Sequence, residues 1–137
     1  MKPARPMLDT HAWVWWLDGD ARLTPSLRRA LDDLPAERRP IVSDISLWEV
    51  AMLVSRGRLK LDRSLESWLQ HATNPMTVTV WPITASIAAE VAGLPESFQR
   101  DPADRLIVAT SRNRAAPLLT YDQSIIDSGL VRLWGSN

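Results

Sequence analysis

Residues 101–113, DPADRLIVATSRN, decide how this chain is read. Pro102 follows Asp101, and proline suits the first helical position because the N–H it lacks would go unpaired there anyway. Asp101 then falls where a helix cap belongs. Leu106, Ile107 and Ala109 supply an apolar face at helical spacing, so the stretch opens a helix. Asp104 lands at the third helical position, in the first turn beside Asp101. One acid at a helix N-terminus is ordinary, since the free N–H groups there carry partial positive charge. Two acids there, with further acids arriving from distant segments, suggest a cation.

Outward from that helix, short apolar runs alternate with helix signals. Residues 5–8 read as a buried first strand ending at Asp9, and Thr10 as the cap of a helix carrying Ala12, Trp13, Trp16 and Leu17. Thr24-Pro25 opens a helix to Leu34, and Ile41-Val42 forms a second strand. Ser46 to Glu49 matches a capping box that starts a helix to about Ser55. Asp62 or Ser64 caps a helix through His71. Residues 76–83 are rich in β-branched side chains and read as a third strand. Thr84 caps a helix through Ala92. Residues 117–120 form a fourth strand, a short helix spans 124–127, and 130–133 is a last strand. Short buried strands alternating with helices predict a parallel sheet of four to five strands covered on both faces, in one domain over 1–137.

Asp9 directly follows the first strand and Asp122 the fourth, while Glu49 and Asp104 sit in predicted first turns. Right-handed crossovers bring strand C-termini and those helix N-termini to one edge, where such folds place ligands. Like charges gathered there repel unless something positive intervenes. Oxygen-only ligands suit Mg²⁺ or Mn²⁺. Each acid also has a local explanation: a capping box for Glu49, a helix dipole for Asp104, a cap for Asp101 and a turn for Asp122. Asp9 is the exception, since an acid ending a buried strand needs partners. The coincidence on one edge carries the inference. His11 lies beside Asp9 and reads as a helix-face residue or an outer contact of the site. His71 closes a helix and carries no assigned chemistry.

The chain has 137 residues, enough for one domain with a real core, with 45% hydrophobic and 23% charged residues. Cysteine is absent, which removes disulfides and thiolate chemistry. No apolar run reaches the roughly 18 residues of a membrane span, and the first residues lack a signal-peptide core, so a cytoplasmic protein without a membrane partner is expected. Net charge is zero, so any nucleic-acid surface must be local. Five glycines form no phosphate loop.

Four blocks now acquire a common meaning: LDTHAWVWWL at 8–17, SLWEV at 46–50, DPADRLIVAT at 101–110 and LLTYD at 118–122. In this order they resemble the PIN-domain ribonucleases, and more narrowly the VapC-type toxins of bacterial type II toxin–antitoxin pairs. The resemblance spans nearly the whole chain. It implies a Rossmann-like PIN fold and a Mg²⁺- or Mn²⁺-dependent endoribonuclease whose metal-binding, catalytic acids are Asp9, Glu49, Asp104 and Asp122. Thr120 would hydrogen-bond within the site, and Asp101, Arg105 and His11 are further candidates for outer or substrate contact. Similar toxins often read His-Arg-Asp-Pro-Phe-Asp-Arg where this chain has Gln99 to Arg105, with Gln99 and Ala103 the departures.

The implied partners are an RNA substrate, a cognate antitoxin whose tail blocks the site, and a second copy of the chain. Arg100, Arg105, Arg112 and Arg114 near one helix, and Arg56, Arg58, Lys60 and Arg63 after another, read as an RNA-holding rim or as solvated faces with local ion pairs. Of the seven tryptophans, Trp13, Trp16, Trp48 and Trp68 fall on helix faces and Trp81 on a strand, expected mostly in the core or a subunit contact. The alternative is a catalytically idle PIN-like interaction module. A receiver-type phosphoryl domain is disfavoured because the chain's only lysines are Lys2 and Lys60.

Overall fold

A computed structural model describes residues 5–135. Four short strands form one parallel sheet: β1 (Met7–Leu8), β2 (Ile41–Ser43), β3 (Thr79–Trp81) and β4 (Leu118–Leu119), in the order β3-β2-β1-β4. Seven α-helices surround it among the described residues: α1 (Thr10–Asp18), α2 (Pro25–Asp32), α3 (Asp44–Ser55), α4 (Leu65–Ala72), α5 (Ala85–Ala92), α6 (Pro102–Arg114) and α7 (Gln123–Ser128).

Strand alternation explains why both faces are covered. Met7 pairs in register with Ile41 and Leu118, and all three enter one core with Ile87, Phe98, Ile107 and Ile125 from α5, α6, α7 and the loop before α6. Their neighbours Leu8, Val42 and Leu119 point the other way, into a core with Trp13, Leu31, Val50 and Trp68 from α1 to α4. Successive strand side chains alternate faces, so continuous apolar runs mark strands buried on both sides. The chain steps from β1 to β2 to β3 in one direction, then returns to place β4 on the far side of β1. The strand order reverses between β1 and β4, where a crevice opens at the strand C-termini.

Several expected boundaries move. The first strand narrows to Met7–Leu8, and the third to Thr79–Trp81 because the Thr77 amide donates to Asn74 O in a turn. The expected strand over 130–133 reduces to one bridge between Leu118 and Leu133. Asp9, not Thr10, caps α1, its Oδ1 accepting from the Ala12 amide at 2.8 Å. Helix α3 begins at Asp44 with Ser43 as its cap, so the Ser46 capping box does not form and Glu49 lies in the second turn. Asp101 does cap α6, accepting from the Asp104 amide at 3.0 Å, with Pro102 at the first position.

Candidate active site

The crevice beside the switch point holds about 700 Å³ and is lined by Asp9, Glu49, Asp101, Asp104 and Asp122. Five acids from four segments, Asp101 and Asp104 sharing the start of α6, therefore meet on one edge, although Glu49 arrives from a helix body rather than a first turn. One oxygen each from Glu49, Asp101 and Asp104 lies within 4.8 Å of the other two. Asp9 and Asp122 line the same crevice outside that tightest group.

Asp9 sits at the bottom, 6% exposed. Its Oδ2 accepts from the Thr120 hydroxyl at 2.5 Å, and its Oδ1 takes the Ala12 amide. Burial pushes its carboxyl up, against the opposing pull of those two bonds and of His11. Thr120 also accepts from the Asp122 amide at 3.0 Å, so this one residue just past β4 ties Asp9 to the cap of α7. Asp122 Oδ1 accepts from the Ser124 amide and hydroxyl, both at 2.9 Å.

Thr10, freed from capping, donates from its hydroxyl to Glu49 Oε1 at 2.5 Å and lies 2.8 Å from the Ser46 hydroxyl. Burial raises the Glu49 carboxyl, Thr10 opposes the rise, and Asp101 adds to it. Gln99 donates its amide to Asp104 Oδ2 at 2.8 Å and accepts from the Ser124 hydroxyl at 2.6 Å. Asp104 is pushed up to about 7, first by burial and then by the charges of Asp101, Glu49, Asp122 and Asp9.

Each of Glu49, Asp101, Asp104 and Asp122 thus keeps one oxygen bonded within the protein and one without a donor among the described residues. The ion pairs among the described residues are Arg22–Asp20, Arg63–Asp62 and Arg112–Glu90, so no cationic side chain pairs with the cluster. Free carboxylate oxygens converging without a counter-charge fit a hard divalent cation.

The other sequence candidates divide. His11 is exposed at the crevice mouth, its ring 6.0 Å from Trp15. Arg105 turns away, its guanidinium donating at 3.3 Å to the carbonyls of Phe98, Gln99 and Val91. Of the basic rim, Arg56 and Arg58 line the crevice, whereas Arg112 pairs with Glu90 and Arg114 lies over the Trp81 ring. Trp13, Trp16 and Trp68 are core residues, but Trp48 is 49% exposed in the crevice. The contact of Thr10 with Glu49, that of Ser124 with Gln99 and the place of Arg22 in the crevice lining had no local sequence signal, because each joins segments the chain brings together only on folding.

A switch-point crevice of carboxylates in a small parallel α/β unit defines a class, and the family comparison agrees: the chain belongs to the PIN-domain family, whose pattern matches residues 7–128. It is 37% identical over 120 residues to Ribonuclease VapC22 of Mycobacterium tuberculosis (strain ATCC 25618 / H37Rv), covering 87% of this chain and 88% of that protein. Among solved structures it resembles a chain of VapBC2 from Rickettsia felis bound to a promoter DNA fragment, with a TM-score of 0.70, 19% identity, and 94% and 96% of the two chains covered. It also resembles a chain of FitAcB from Neisseria gonorrhoeae, with a TM-score of 0.64, 20% identity, and 95% and 96% covered. At those identities the structural likeness is one of fold.

Proposed function

We infer that this protein is a metal-dependent endoribonuclease, the toxin of a type II toxin–antitoxin pair, hydrolysing RNA phosphodiester bonds. One observation carries the reading: Glu49, Asp101, Asp104 and Asp122 each bring an oxygen without a donor to one crevice, and no cationic side chain among the described residues pairs with them. The 37% identity to a protein named a ribonuclease supports the same chemistry.

Asp9, Glu49, Asp104 and Asp122 would hold Mg²⁺ or Mn²⁺, with Asp101 beside them. When bound, the ion supplies Lewis acidity, activating water for attack and neutralising charge that builds on the phosphate. The protein contributes orientation. Thr120 fixes the Asp9 carboxylate, Thr10 fixes Glu49, and Gln99 with Ser124 links Asp104 to Asp122. All of these donors are neutral, so they position the carboxylates without cancelling the charge that attracts the cation.

An antitoxin covering the crevice, a homodimer and a cytoplasmic setting belong to this proposal. Among the described residues no helix is long and apolar enough to cross a membrane. The test is hydrolysis of end-labelled tRNA, rRNA and mRNA pools by the purified protein with Mg²⁺, with Mn²⁺ and with EDTA. Metal-dependent internal cleavage that Asp104→Asn abolishes is expected. Cleavage that survives EDTA, or persists in the variant, would overturn the assignment.

A further inference from the structure

Most tryptophans of this chain have their rings occupied. Trp13 packs edge-on against Trp68, Trp16 lies under Arg39, and Trp81 lies under Arg5 and Arg114. Trp15 is enclosed by Tyr121 at 5.1 Å, by His11 and by the Arg22 guanidinium at 4.5 Å. Trp48 differs. It stacks on no ring or guanidinium among the described residues, its indole has no hydrogen-bond partner there, and it is half exposed. It lines the acidic crevice one residue before Glu49.

The wall that carries it is regular. Trp48, Met52 and Arg56 recur every four residues along α3 and its end, and all three line the crevice. That spacing sets them in a row of about 12 Å. Arg58 stands beyond the row, and neither arginine pairs with a carboxylate among the described residues. A free aromatic face, a soft apolar step and two unpaired cations, beside an acidic floor, match a strand with flat bases and an anionic backbone. The arginines favour a polyanion over an apolar peptide, which would gain nothing from them.

We propose that Trp48 is the stacking platform for a nucleobase of single-stranded RNA, holding it so that the adjoining phosphate faces the Glu49, Asp101 and Asp104 oxygens while Arg56 and Arg58 take the backbone beyond. This rests on the ribonuclease reading above and adds a base subsite to it. Every base has a π-face, so the subsite selects unpaired nucleotides rather than a particular base.

The experiment is fluorescence anisotropy in Mg²⁺ with the Asp104→Asn protein, which cannot cleave. Two labelled probes of equal length are compared, a randomised single-stranded RNA and an abasic ribose-phosphate strand of the same charge. The RNA should bind on the order of 10-fold tighter than the abasic strand, the scale of one stacked base. Adding Trp48→Ala should abolish that preference and leave abasic binding unchanged, while Trp48→Phe should keep most of it. A preference that survives Trp48→Ala overturns the proposal. So does equal binding of both probes, which would leave the Trp48 face to a protein partner. Failure of both probes to bind would instead strike at the ribonuclease reading itself.

Discussion

Asp104→Asn should stabilise the metal-free protein at neutral and alkaline pH, and the size of the gain follows from the crevice. Asp104 holds its proton up to about 7 in the folded chain against an ordinary 3.8, because it is half-buried and faces Asp101, Glu49, Asp122 and Asp9. The folded state therefore binds that proton more tightly than the unfolded state. Stability is fullest below pH 4 and falls as pH rises, until the loss is complete above about 7. At about 1.36 kcal/mol per pH unit the full penalty would slightly exceed 4 kcal/mol, and solvent screening of a half-buried group reduces it to about 2 kcal/mol. Asparagine keeps the carbonyl oxygen that accepts from Gln99, so little else changes. For a domain of 137 residues this is about 8 °C in Tm.

The assay is thermal melting by circular dichroism, with EDTA, from pH 4 to pH 8.5. The variant should match wild type near pH 4 and melt about 8 °C higher at pH 8. With Mn²⁺ the order should reverse, since an ion that binds only the folded state stabilises wild type by about 2.7 kcal/mol at 100 times its Kd. A variant no more stable than wild type at pH 8 in EDTA would refute the claim that the acids repel. An identical response of both proteins to Mn²⁺ would refute the claim that Asp104 helps to hold the ion.

Three further substitutions separate positioning from packing. Thr120→Val removes the donor to Asp9 Oδ2 while keeping volume, so a buried carboxylate oxygen loses its partner; urea unfolding at pH 7.5 should show a loss of about 1–3 kcal/mol at unchanged m-value. Gln99→Ala cuts the link between Asp104 and Ser124, and Mn²⁺ affinity measured by electron paramagnetic resonance should fall about 10-fold with Tm in EDTA nearly unchanged. Arg105→Met removes three long hydrogen bonds to carbonyls of α5 and of the loop before α6, and stability should fall by about 1–2 kcal/mol. The salt slope of RNA binding should stay the same for that variant, and a slope lower by about one would mean that Arg105 contacts phosphate after all.

What could be read from the sequence depended on whether the deciding physics was local. The α6 start was legible because capping and a proline at the first turn are properties of four adjacent residues. The α/β class was legible because strands buried on both faces must be apolar throughout. The start of α3 was misplaced for a related reason: Ser46 and Glu49 satisfy a local capping pattern, but Ser43 and Asp44 come directly off β2 and take the cap first. That shift moves Glu49 from a position explained by capping to one held by Thr10 of another helix. The bonds of Thr10 to Glu49 and of Gln99 to Ser124 could not be read, since each joins segments distant in sequence. Arg105 stands next to Asp104 in sequence yet does not line the crevice, and its guanidinium donates to carbonyls of α5 and of the loop before α6.

The local explanations of the acids and the functional one are not competitors in this fold. Asp9, Asp101 and Asp122 are all helix caps, and each also lines the crevice. A capping carboxylate spends one oxygen on amides of its own helix and is thereby fixed in place; the second oxygen of Asp101 and of Asp122 is left without a donor, and that of Asp9 takes the Thr120 hydroxyl. A parallel α/β sheet sends its strand C-termini toward helix N-termini along one edge, so caps collect there by topology. Caps drawn from Ser, Thr or Asn would satisfy the same amides with no net charge, as Thr24, Ser64 and Thr84 do elsewhere in the chain. Acids stand where caps meet the crevice, and Thr24, Ser43, Ser64 and Thr84 where they do not. Stability alone would not make that choice, since the charges of Asp101 and Asp122 push up the carboxyls of Glu49 and Asp104. A cation shared between them would.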